Sequence, residues 1–173
     1  MNAGRAARLV GPLASHHRER LVEILEATGV FAPGEIGVAL ELFDEGMQSA
    51  ESYELMGVFD EHGTLQGYAC WGPTPGTDGG YDLYWIAVDP RAHGGGYGSA
   101  MMRAVEELLR ARGARLLVAE TSSRGAYAQT REFYERRGYV ERARVRGFYA
   151  VDDDRVIFSK MLAVRAGEEA RHE

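Results

Sequence analysis

Ile86-Ala87-Val88-Asp89-Pro90, closely followed by His93-Gly94-Gly95-Gly96-Tyr97-Gly98, is the run from which the rest of the chain can be read. Its first part alternates as a strand does. Beyond the glycines, Met101, Val105 and Leu108, with Met102 and Leu109 beside them, recur at helical spacing until Gly113. A strand that feeds a glycine-rich turn and a helix start aims several backbone N–H groups, and the positive end of the helix dipole, at one point. That point is an anion site, shaped as a cradle for phosphate groups.

Upstream, the strand extends back to Tyr81, with Asp82, Tyr84, Ile86 and Val88 on one face and Leu83, Trp85 and Ala87 on the other. Tyr53 to Asp60 and Leu65 to Gly72 read as a hairpin around Glu61-His62-Gly63-Thr64, and Pro73 to Gly80 as an exposed loop. Earlier still, Ala7 to Leu13 reads as a first strand, and Ser15 as the cap of a helix carrying Leu21, Ile24, Leu25 and Thr28 and ending at Gly29. Pro33 then opens a second helix with Ile36, Leu40, Phe43 and Met47 on its buried face, and Gln48 to Ser52 is a polar linker. Downstream, Leu116 to Glu120 is a short strand, parallel to the strand before the glycines because a helix joins them. A brief helix, Thr130 to Arg137, stops at Gly138, and Tyr139 to Phe148 and Arg155 to Leu162 form a last pair of strands around Asp152-Asp153-Asp154. This order predicts an α+β fold with a mixed, mainly antiparallel sheet and one parallel pair near the middle. Residues 1–162 are expected to form one domain and the charged segment 163–173 a flexible tail.

Composition narrows the function. A chain of 173 residues, 45% hydrophobic and 27% charged, supports one well-buried core. The net charge of -6 argues against a nucleic-acid binder, although Arg124, Arg131, Arg136, Arg137, Arg142, Arg144 and Arg146 make the C-terminal half locally basic. The single cysteine, Cys70, excludes an internal disulfide and a multi-cysteine metal site and fits a cytoplasmic setting. No signal-like or membrane-length apolar run is present. His16, His17, His62 and His172 lack metal-ligand spacing, so no metal is expected.

No Lys-Ser or Lys-Thr follows the glycines, which excludes a P-loop, and the GxGxxG spacing of a dinucleotide site lacks its third glycine. The residues resemble another family, the GNAT superfamily of acetyl-CoA-dependent N-acyltransferases. Its core pattern is Arg or Gln, two residues, Gly, one residue, then Gly or Ala, after a strand ending in a Val-Asp-Pro type turn. Ile86 to Pro90 and Gly96-Tyr97-Gly98 fit it, with His93 in the leading position. A second block, Arg131-Glu132-Phe133-Tyr134-Glu135-Arg136-Arg137-Gly138-Tyr139, is similar to the family's late helix.

The resemblance implies a GNAT-like fold, in which the parallel strands splay apart and helices cover both faces of the sheet. Acetyl-CoA is the implied co-substrate, its pantetheine arm held by backbone groups of Ile86 and Val88. The pyrophosphate is assigned to Gly94, Gly95, Gly96, Gly98 and Ser99, with His93 either contacting it or facing water. Tyr134 takes the position of the acid that protonates the departing thiolate. The general base is left between Asp82, spaced like the glutamate of the histone-acetylating branch, and Glu120 at the end of the next strand; ordered water is a third candidate. Tyr127 stands where many relatives carry an asparagine. A backbone N–H near Ile86 is the candidate oxyanion donor. The expected function is transfer of an acetyl group to a primary amine, with a small cationic molecule as acceptor. The first two helices, the loop Pro73 to Gly80 and the final hairpin around Phe148 and Tyr149 are expected to bind it. No nucleic-acid or membrane partner is expected, and a homodimer is compatible with the sequence. The alternative is a weak or inactive acyl-CoA-binding sensor.

Overall fold

The computed structural model describes residues 9–162. The expected tail 163–173, and Ala7 and Arg8 of the expected first strand, lie outside the described residues. Eleven strands and helices follow in the expected order: β1 (Leu9–Gly11), α1 (Arg18–Thr28), α2 (Pro33–Gln48), β2 (Glu54–Phe59), β3 (Leu65–Pro73), β4 (Gly80–Val88), α3 (Tyr97–Ala111), β5 (Leu116–Ser122), α4 (Ala128–Glu135), β6 (Val140–Ala150) and β7 (Asp153–Met161). Strand order is β1-β2-β3-β4-β5-β7-β6. The fold is a mixed, mainly antiparallel α+β sheet with a parallel pair, as the element order predicts. The residues cluster into two compact units, 9–72 with 83–105 and 73–82 with 106–162.

In the first unit, α1 buries Leu21, Ile24 and Leu25 and closes at Gly29, whose φ of 65° lets its N–H reach Glu26 O at 3.1 Å. Each of those three side chains contributes about 2 kcal/mol by leaving water. Ser15 does not cap this helix. Ser15–His17 form a 3-10 turn instead, because the His17 ring accepts the Ala14 N–H at 2.9 Å and closes the turn itself. Pro33 opens α2, and the Glu35 carboxylate accepts the Ala32 N–H at 2.7 Å. The β2–β3 hairpin is held by Asp60, which accepts from the N–H groups of His62 and Thr64, both at 2.9 Å. Its antiparallel register runs from Glu54 opposite Trp71 to Phe59 opposite Leu65. β3 is buried on both faces from Gly67 through Gly72. A Cβ on Gly67 would stand 2.6 Å from Ala87 O, so glycine is what allows the two backbones to approach. Leu21, Ile24, Leu25, Phe43, Tyr68 and Cys70 belong to one core, where burial pushes the Cys70 thiol up to about 12.

In the second unit, β7 lies antiparallel to both β5 and β6. Leu117 and Ala119 of β5 and Val156 and Phe158 of β7 are buried. All of β6 is exposed. The last turn is tighter than expected: Val151 and Asp152 turn, while Asp153 and Asp154 already belong to β7. Asp153 is buried because its carboxylate accepts the Ser122 hydroxyl and meets Arg124 Nε at 3.1 Å. α4 starts two residues earlier than its apolar pattern suggests, after a 3-10 turn over Gly125–Tyr127.

Candidate active site

The cradle lies wholly in the first unit. β4 ends at Val88, and Asp89 turns the chain: its carboxylate accepts the Arg91 N–H at 2.9 Å, while its own N–H reaches Gln66 O at 2.8 Å. Pro90–Ala92 form a 3-10 turn, and α3 starts at Tyr97. Asp89 is 1% exposed. Arg91 meets it through Nε at 3.0 Å and through its terminal nitrogen at 2.8 Å, and Arg20 of α1 meets it from another side. These partners, the Arg91 hydrogen bond foremost, hold the Asp89 carboxyl well below the ordinary carboxylate range against the opposing effect of burial. Arg20 also donates to Leu65 O at 3.1 Å. α1, the start of β3 and the glycine turn are thus tied at one carboxylate.

Gly94 and Gly96 have φ of 76° and 75°, a backbone that side-chain-bearing residues avoid. A Cβ on Gly95 would meet Ala92 O at 2.9 Å and the Tyr97 ring at 2.7 Å, whereas one on Gly94 would project into open space. Tyr97, Gly98 and Ser99 form the first helical turn, whose N–H groups have no carbonyl four residues back within the helix. The His93 ring turns back onto the strand, with Nε2 3.1 Å from Val88 O. Ile86 and Val88 are half-buried, and Leu83 and Ala87 on the opposite face are buried.

The second unit holds Tyr134, Asp82 and Glu120. Tyr134 is 3% exposed and packs against Tyr139 and Phe158, each ring centroid 5.6 Å away. Its hydroxyl makes no hydrogen bond among the described residues, and burial pushes the phenol well above its ordinary value. Behind it, the Tyr139 hydroxyl donates to Glu106 Oε1 at 3.1 Å, and the buried Glu106 also takes Lys160 Nζ at 2.7 Å and Arg110 at 2.9 Å. Asp82 accepts the Thr74 hydroxyl at 2.7 Å. Glu120 is engaged by Arg155, whose guanidinium carbon stands 4.8 Å from the Phe148 ring centroid. The Glu120 hydrogen bond raises Arg155 above its ordinary value; burial opposes, and the charges of Glu120 and Asp82 add to the rise. Arg155, a residue the sequence reading passed over, thus pairs with Glu120, whereas the hydrogen bond of Asp82 comes from Thr74. Asp89 and Glu106 were also missed as organising groups. The Asp-Pro turn signalled the first, and nothing local signalled the second.

The model of the acetyltransferase (GNAT) family matches residues 18–139, more than half of the chain. The protein is a member of the GNAT family. A structure from Desulfovibrio desulfuricans assigned to that family is 39% identical, with a TM-score of 0.85 over 91% of this chain and 100% of the other. The ribosomal-protein-S18-alanine N-acetyltransferase of Escherichia coli shares the fold at 20% identity, with a TM-score of 0.76 over 96% and 100% of the two chains. An aminoglycoside 6'-N-acetyltransferase complexed with coenzyme A shares it at 16% identity, with a TM-score of 0.72 over 91% and 99%. No match was found among curated proteins. GNAT membership supports acetyl-CoA as the co-substrate. The cradle suits it chemically, since a glycine turn on a helix N-terminus leaves room for a pyrophosphate and offers N–H groups to it. No helix among the described residues is long and apolar enough to cross a membrane.

Proposed function

We propose that this GNAT protein transfers the acetyl group of acetyl-CoA directly to a primary amine of a small molecule, both substrates being bound together. The observation that carries the reading is Tyr134: a buried phenol with no hydrogen-bond partner among the described residues, kept protonated by its surroundings. Such a group is a donor waiting for an acceptor. The amine nitrogen attacks the thioester carbonyl carbon, a C–N bond forms, and negative charge gathers on the carbonyl oxygen, where a backbone N–H near Ile86 is assigned to receive it. The C–S bond then breaks, and the leaving thiolate takes its proton from Tyr134. The nitrogen, still carrying one proton too many, releases it to the tyrosinate and so restores Tyr134; an N-substituted acetamide and CoA thiol are the products.

An alkylamine titrates near 10.4, so the incoming ammonium must first lose a proton. Asp82 is assigned as the base. Its carboxylate carries one neutral hydrogen bond, from Thr74, whereas Glu120 is engaged by Arg155. The pyrophosphate is assigned to the backbone of Gly94, Gly95, Gly96, Gly98 and Ser99, and the pantetheine arm to Ile86 and Val88. His93 is assigned a supporting role, closing the turn against Val88 O. The single buried thiol suits a reducing cytoplasm.

The test is CoA thiol release from acetyl-CoA with a panel of primary amines, with the amide identified by mass spectrometry. Acetylation of at least one amine at a rate that saturates with its concentration is expected. Binding of acetyl-CoA with no amine acetylated would replace this reading by that of an acyl-CoA sensor.

A further inference from the structure

Arg155 stands where β7 begins, opposite Ser122 of β5 and Val145 of β6. It donates to Glu120, and its guanidinium carbon lies 4.8 Å from the Phe148 ring centroid. Phe148 meets Tyr149 edge to face at 5.0 Å, and the two rings are 50% and 51% exposed. Arg155 Nε is buried without a hydrogen-bond partner among the described residues. The charge of Asp82 also acts on this guanidinium. Carboxylates and aromatic faces together are the surroundings that recognise an organic cation, and here a resident cation already occupies part of them. Of the two carboxylates, Glu120 is neutralised internally and Asp82 is left to a neutral donor, Thr74. The cluster of Asp82, Glu120 and Arg155 therefore presents one net negative charge beside exposed aromatic surface.

We propose that Arg155 sets the charge class of the acceptor: by neutralising Glu120 it makes the site select an amine with a single positive charge and an apolar body, an arylalkylamine, over a diamine or a zwitterion. This rests on the acetyl-transfer reading and sharpens its substrate. The ammonium group is drawn to Asp82, which then takes its proton, while the apolar body packs on Phe148 and Tyr149. A diamine would bring a second charge with no free carboxylate to meet it. A zwitterion would bring a carboxylate towards Asp82.

The experiment compares phenethylamine, 1,4-diaminobutane and phenylalanine in two assays: acetylation rates, and calorimetric binding to the protein saturated with CoA. Arg155→Gln leaves Glu120 bare, and the selectivity for 1,4-diaminobutane over phenethylamine should rise about tenfold, the scale of one added charge at a half-exposed site. Glu120→Gln should shift it the other way and admit phenylalanine, and Arg155→Lys, which keeps the charge, should retain wild-type selectivity. Charge-dependent binding that shifts with these variants in the absence of acetylation would uphold the role of Arg155 and overturn acetyl transfer. Acetylation with selectivity unmoved in both Arg155→Gln and Glu120→Gln would uphold acetyl transfer and overturn the role of Arg155. Absence of binding by all three amines would also overturn it.

Discussion

In each compact unit a buried carboxylate gathers basic groups around it, Asp89 in the first and Glu106 in the second, yet the two serve different ends. Asp89, 1% exposed, shapes backbone: its partners Arg20 and Arg91 and the hydrogen bonds of its own residue tie α1, β3 and the glycine turn together. Glu106, 4% exposed, fixes side chains: Tyr139, Lys160 and Arg110 converge on it, and Tyr139 in turn packs on Tyr134. Under the proposed function, the first unit offers N–H groups to the cofactor and the second offers a phenol to the leaving thiolate. Cofactor binding should therefore be sensitive to backbone changes in the first unit, and turnover to side-chain changes in the second.

The sharpest way to break this contrast is Gly96→Val. At φ of 75° a β-branched residue is strained, and the first helical turn would have to shift. Acetyl-CoA affinity should fall by two orders of magnitude or more, read by calorimetry, while the circular dichroism of the folded protein is retained. Wild-type affinity in this variant would move the cradle elsewhere. Next comes Asp89→Ala, which leaves Arg20 without its buried partner. Arg20 keeps Glu23 at 2.9 Å, so the cost should lie near the lower end for a broken buried pair, about 3 kcal/mol, read by urea unfolding. The carboxyl of Asp89 is held below its unfolded value of about 3.9, so its stabilisation is present above that pH and is lost as pH falls below it. Asp89→Asn should accordingly flatten the acid limb of the stability profile. An unchanged limb would show that Asp89 does not carry the linkage.

The contrast also explains what could be read in the sequence. A backbone-built site leaves a local signature, because glycines with positive φ and an Asp-Pro turn sit side by side in the chain; Gly94, Gly96 and Asp89 are such a run. The element order and fold class follow from periodicity in the same way. A side-chain site leaves almost none: Glu106 meets Lys160, and Glu120 meets Arg155, across many residues of chain. Asp82 and Glu120 were legible as strand carboxylates, but the arginine that distinguishes them was not. Ser15 failed as a cap because it lies inside a 3-10 turn, which the His17 ring ties back to the Ala14 N–H, so that α1 begins only at Arg18. The turn at Asp152 was misjudged because the hydroxyl of Ser122 draws Asp153 into the strand.

The smaller effects lie in the second unit. Tyr134→Phe removes the proposed acid and should lower kcat by about a hundredfold with acetyl-CoA affinity nearly unchanged. Equal loss of both would make Tyr134 a packing residue. Tyr139→Phe is the finest test, since it deletes one hydroxyl and keeps the ring against Tyr134. Glu106 retains Lys160 and Arg110, so the loss of stability should be about 1 kcal/mol, that of one hydrogen bond. If the Glu106 network positions Tyr134 as well as stabilising the unit, kcat should fall a few-fold while KM for acetyl-CoA stays put. If kcat is unmoved, the buried charge serves the fold alone, and the division between a backbone unit and a side-chain unit loses its functional half.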